Sequence, residues 1–125
     1  MRKLALILLS ITTFLYIACK KQSSKESKIY GKWKMIETLA DPGDGSGKYM
    51  PVKGPAKYVI LEESGKISGE AFPEALSFRI VDSTRLEITF KDRKEPASFW
   101  YKRSGNILNI NPPCIEPCGI RFRRD

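Results

Sequence analysis

The chain has 125 residues, with 22 Lys and Arg against 14 Asp and Glu, a formal net charge of +8, three Cys and no His. That length bounds it to one domain with one modest core. The missing His removes the usual general base near neutral pH and the commonest zinc ligand. No paired motif links Glu62, Glu63 and Glu74, and no nucleophile-elbow context surrounds Ser64, Ser68 or Ser77, so the chain is not expected to be an enzyme.

Arg2 and Lys3 precede an uncharged run of fifteen residues, Leu4 to Ala18, that ends in Tyr16-Ile17-Ala18-Cys19. A positive head, an apolar stretch of this length and a small residue before the cut form a secretory signal. The run is short of the roughly 20 apolar residues of a spanning helix. A Cys directly after the small residue resembles the lipobox of bacterial lipoproteins, although Tyr16 stands where that family usually has Leu, Val or Ile. The resemblance implies that residues 1–18 are removed and that Cys19 is diacylated and becomes the first residue. Two acyl chains suffice for stable membrane attachment.

Lys20 to Lys28 carries no apolar residue and reads as a disordered tether, reaching at most about 30 Å. Its lysines suit either a solubilising linker or contact with anionic lipid. Lys20-Lys21 lacks the acidic run that resembles a surface-export signal, which favours an outer-membrane lipoprotein facing the periplasm. Nucleic acid is not an expected partner there.

From Ile29 onward no helical period recurs, and the predicted domain spans residues 29–125. Trp33, Met35 and Leu39 alternate with Lys32, Lys34 and Thr38 in a first strand. Asp41-Pro42-Gly43-Asp44-Gly45-Ser46-Gly47 opens a loop that runs on through Pro55. Its oxygen-bearing side chains could suit Ca²⁺, but the spacing is not that of a calcium loop, and Asp-Pro-Gly and Asp-Gly are ordinary turn formers. Further strands are predicted over residues 57–62, 66–71, 76–81, 85–91, 97–102, 107–110 and 119–124. The clearest is 85–91, where Leu86, Ile88 and Phe90 point one way and Arg85, Glu87, Thr89 and Lys91 the other. In the strand at 76–81, Leu76, Phe78 and Ile80 share a face. At 57–62 the inward face is open between Tyr58 and Val59. At 97–102, Phe99 and Tyr101 share one face and Trp100 and Lys102 the other, so Trp100 either lines a binding surface or marks a flattened barrel. Eight strands with short turns predict an all-β, small antiparallel eight-stranded meander barrel, because closure removes exposed edges.

Cys114 and Cys118 remain after Cys19. Outside the cytoplasm such a pair is read first as a disulfide. A zinc site is not expected, since structural zinc takes four ligands and the chain has no His, and the spacing is C-x₃-C rather than the redox C-x-x-C.

Gly31-Lys32-Trp33, directly after the polar tether, resembles the lipocalin signature. The loop from Asp41 to Gly47 with Tyr49 and Pro51-Val52, and the tail Cys114-Ile115-Glu116-Pro117-Cys118-Gly119 before Arg121-Phe122-Arg123, resemble small bacterial lipocalin-like lipoproteins. The resemblance spans about residues 30–124. It implies a barrel with Trp33 at its closed end and a shallow cavity, and it brings no defined activity. The chain is therefore expected to bind a small hydrophobic or amphipathic ligand, with Trp33, Tyr58, Phe78, Ile88, Phe99 and Trp100 as candidate binding residues. No metal or cofactor is expected. The alternative is a filled barrel serving as an interaction or inhibitor module for another envelope protein.

Overall fold

Gly-, Asp- and Pro-bearing turns cut the chain into nine strands: β1 (Gly31–Ala40), β2 (Tyr49–Pro51), β3 (Tyr58–Leu61), β4 (Ile67–Ser68), β5 (Ala75–Ile80), β6 (Arg85–Phe90), β7 (Ala97–Ser104), β8 (Ile107–Asn111) and β9 (Cys118–Arg124). These come from a computed structural model that describes residues 29–125. The signal, acylated Cys19 and tether predicted over residues 1–28 lie outside the described residues.

All pairings are antiparallel, and the strand order is β4-β3-β1-β9-β8-β7-β6-β5, with β2 attached to β1 alone. Except for β2, every strand thus lies beside its neighbour in the chain, and the last strand returns to the first. The two outer strands, β4 and β5, approach one another through a Lys66–Ser77 bridge and a 2.8 Å bond from the Phe78 N–H to the Gly65 carbonyl. The result is an all-β, nearly closed antiparallel barrel of eight strands in meander order.

Alternation drives this closure. Most strands of the barrel carry one apolar face, and rolling the sheet buries those faces together. Trp33, Val59, Leu61, Leu86, Ile88, Leu108, Ile110 and Phe122 are fully covered and fill the interior. The strand predicted from Leu86, Ile88 and Phe90 puts the first two in the core and packs the third against it.

Four details differ from the sequence reading. The β1–β9 register skips Ile36, so Leu39 does not share a face with Trp33 and Met35. The loop predicted from Asp41 to Pro55 contains β2, which pairs Tyr49 with Leu39 and Pro51 with Glu37. The strand predicted over 66–71 shrinks to Ile67–Ser68. Leu76 and Ile80 do not join Phe78 in the core. The β5–β6 register skips Leu76, an extra residue that turns outward as in a β-bulge, and Ile80 ends its strand exposed at the rim.

Asp82 organises the turn between β5 and β6. Its Oδ1 accepts from the Thr84 N–H at 2.8 Å, the Thr84 hydroxyl at 2.9 Å and the Arg85 N–H at 2.9 Å. These donors, led by the Thr84 amide, hold its carboxyl at a pKa of about 2. A depressed carboxylate contributes stability above its ordinary value of 3.8 that is lost as pH falls through about 2. Asp82→Ala should therefore lower the melting temperature at pH 7, and its difference from the parent should shrink across that window in calorimetric scans.

Candidate functional site

The barrel has two unlike ends. At one, Trp33 enters the interior from the start of β1 and is completely covered. Its Nε1–H donates to the Ile29 carbonyl at 2.8 Å, so the buried indole is satisfied. The Arg124 guanidinium, from the last strand, lies 4.2 Å from the indole ring and donates to the Tyr30 carbonyl at 2.9 Å. Burial first, then the charge of Arg103, lowers the Arg124 pKa from its ordinary value. Gly31 makes room for this arrangement: its φ is +125°, and a Cβ there would meet Arg124 Nη1 at 2.8 Å. The Gly-x-Trp pattern thus has a local cause, a tight approach of Arg124 over the plug.

At the other end a cavity of about 410 Å³ opens outward. Its aromatic lining is Phe72, Phe90 and Phe99, with Ala71 and Ala97 between them. Phe72 meets Phe99 edge-on at 5.9 Å between centroids, and Phe90 lies 6.1 Å from Phe99. Such tilted and edge-on pairs are the favoured aromatic arrangements. Pro73, Pro112 and Pro113 form part of the wall, and Glu74, Asp92 and Arg93 bring charge to it. The Lys91 N–H donates to the Glu74 carbonyl at 2.9 Å, tying two of the lining loops together. The site is therefore an apolar cup with both signs of charge in its lining.

The predicted site residues divide between interior and exterior. Trp33, Phe78, Ile88 and Phe99 point inward, but only Phe99 lines the cavity. Phe78 and Ile88 are register partners on β5 and β6, packed in the core. In β3 it is Val59 that faces the interior. Tyr58 stands outside, with Lys32 Nζ 4.2 Å from its ring centre. Trp100 is also outside, 57% exposed, with the Arg85 guanidinium 5.7 Å from its ring. The sequence reading did not single out Phe72, Ala97 or the Pro112-Pro113 pair for the site. Their signal was present only as strand ends and chain breakers.

Cys114 and Cys118 form a disulfide with a Cα separation of 6.1 Å. It closes the β8–β9 loop, with Ile115 fully exposed at the tip. The neighbouring Asp41 carboxylate is occupied by backbone: Oδ1 accepts from Gly43, Asp44 and Gly45, and Oδ2 accepts from Gly47 at 2.8 Å. These bonds, led by that from Gly47, lower its pKa. Asp41 thus shapes a turn, and no cluster of three metal-ligating side chains occurs among the described residues.

Comparisons with protein-family models, curated proteins and solved structures give no match for this chain.

Proposed function

We propose that the chain is a lipoprotein of the bacterial cell envelope whose lipocalin-like barrel takes up a small hydrophobic or amphipathic ligand at its open end. The observation that carries the binding part is the aromatic cup of about 410 Å³. Ligand pockets typically measure roughly 300–1,000 Å³, mostly apolar with a few polar groups. The interior below the cup is filled by side chains, so the ligand sits in the mouth rather than deep in the barrel. Apolar parts would rest on Phe72, Phe90 and Phe99, while Arg93, Glu74 and Asp92 would select a polar head.

The anchoring part rests on Met1 to Cys19, and the absence of an acidic run at Lys20-Lys21 favours the outer membrane, facing the periplasm. Cys19→Ser should abolish incorporation of labelled palmitate in cells. Retained label on that variant would overturn the anchor.

Binding is tested on residues 29–125, which contain every described strand and the whole described core. Organic extraction of natively purified protein, followed by mass spectrometry, should release a stoichiometric lipid-like molecule. A fluorescent apolar probe should bind the emptied protein, and Ala71→Phe, which crowds the half-buried wall of the cup, should weaken the probe at least about tenfold. Equal probe affinity in both proteins would remove the cup from consideration.

The alternative, an interaction module, draws on the outward Trp100 and on Ile115 at the tip of the disulfide loop. Under that reading no ligand co-purifies, and Trp100→Ala and Ile115→Ala abolish capture of an envelope protein.

A further inference from the structure

Two stretches that mix aromatic and basic residues, Phe99–Arg103 and Arg121–Arg124, lie on β7 and β9, on either side of β8. Their members Phe99 and Phe122 are buried in the core, and Tyr101 packs against it. The outward members meet on one part of the barrel exterior. Lys102 is paired with Asn109, and Asn109 with Arg121. Arg123 is paired with Ile107 on one side and with Lys34 of β1 on the other. Lys34 and Arg123 therefore stand directly opposite each other, both exposed, and like charges so placed destabilise a sheet.

Other cations of this exterior are matched. Arg121 pairs with Glu37 and Lys32 with Asp125, and Arg85 on the adjoining β6 pairs with Asp82. Lys34, Lys102 and Arg123 have no salt bridge among the described residues. Trp100 lies two positions before Lys102 on the same face of β7, and none of these residues borders the cup.

We propose that the exterior of β1, β9, β8 and β7 docks on an anionic lipid bilayer. Unmatched cations spread over a regular sheet suit a diffuse negative surface. A bilayer also accommodates Trp100, an amphipathic ring of the kind that settles at headgroup level. The choice of a bilayer over an acidic protein rests on the envelope-lipoprotein reading, since the basic tether joins the barrel on the strand that carries Lys34. The repulsion between Lys34 and Arg123 is relieved when lipid phosphates approach both.

The test uses residues 29–125, which lack the anchor, so its outcome is separable from acylation of Cys19 and from probe binding in the cup. The domain should co-sediment with vesicles containing phosphatidylglycerol and not with phosphatidylcholine alone, more weakly as salt rises. Trp100 emission should shift to the blue on binding, and the shift should vanish in Trp100→Phe. Lys34→Gln, Lys102→Gln and Arg123→Gln should each lower partitioning about fivefold. Lys34→Gln and Arg123→Gln should melt no lower than the parent, because each removes a like-charge contact. Equal binding to neutral vesicles, or unchanged partitioning of the three variants, would overturn the proposal. So would tighter binding to polyglutamate or single-stranded DNA than to vesicles, or stronger displacement by inorganic phosphate than by chloride at equal ionic strength.

Discussion

Trp33→Ala should cost the barrel about 3–5 kcal/mol of folding stability, the range for deleting a large buried aromatic. Single domains hold only about 5–15 kcal/mol in total, so the variant should be largely unfolded well below the parent's melting temperature. The size of the effect follows from three coincident losses. The indole is wholly buried, so its removal leaves a void at the closed end. Its Nε1–H satisfies the Ile29 carbonyl, which would otherwise need another partner. Arg124, half-buried over the ring, would lose the surface it lies on. Trp33→Phe separates these parts: it retains most of the volume and loses the hydrogen bond, worth about 1 kcal/mol. Urea unfolding followed by far-ultraviolet circular dichroism gives the comparison without relying on the deleted fluorophore. A midpoint for Trp33→Ala within error of the parent would mean that the indole is not a plug.

The fold was legible wherever the residue pattern reports a single physical variable. In Arg85–Phe90, polar and apolar residues alternate without interruption, so face and strand type follow together. Where two variables mix, the pattern fails. Tyr58-Val59-Ile60-Leu61 is apolar throughout, so no alternation distinguishes its faces, and only pairing with Lys34 and Trp33 places Val59 inside. The bulges at Ile36 and Leu76 shift the period by one residue, which composition does not announce. The short strand β2 is stabilised by its long neighbour and carries little propensity of its own.

The candidate site was less legible than the fold for a related reason. Period two tells which way a side chain points and says nothing of its depth along the barrel axis. Phe78, Ile88 and Phe99 all face inward, but only Phe99 stands at the open end. Besides Phe90 and Ala97 at the ends of β6 and β7, the rest of the cup comes from connections near residues 71–74, 92–93 and 112–113, which are remote in the chain and meet only once the meander closes. The basic exterior has the same origin. Lys34 and Arg123 lie at opposite ends of the domain, and the pairing of first and last strands brings them together.

Gly69→Ala should both destabilise the barrel and remove probe binding in the cup. Gly69 has a φ of +103°, where a Cβ is disfavoured, and that Cβ would stand 2.2 Å from the Tyr58 carbonyl oxygen. The backbone conformation alone carries about 1–3 kcal/mol of strain for a residue other than Gly. The clash adds to it, because the opposing atom is backbone and belongs to β3. The same carbonyl accepts the Ala71 N–H at 3.0 Å, the bond that seats the segment leading to Phe72, Pro73 and Glu74. Relieving the clash pushes this segment away from β3 and so displaces one wall of the cup. The effect on the probe should therefore exceed what the fraction of unfolded protein explains, read at a temperature where the variant remains folded. Gly45→Ala is the matched control: its φ is +79°, but nothing lies within 4 Å of the added methyl. It should show the backbone strain without the clash and leave probe affinity unchanged. If Gly69→Ala melts with Gly45→Ala and binds the probe like the parent, the β4–β5 connection does not hold the wall of the cup. If it loses the probe while the folded state persists, the close approach at Gly69 is what links the closing seam of the barrel to its open end.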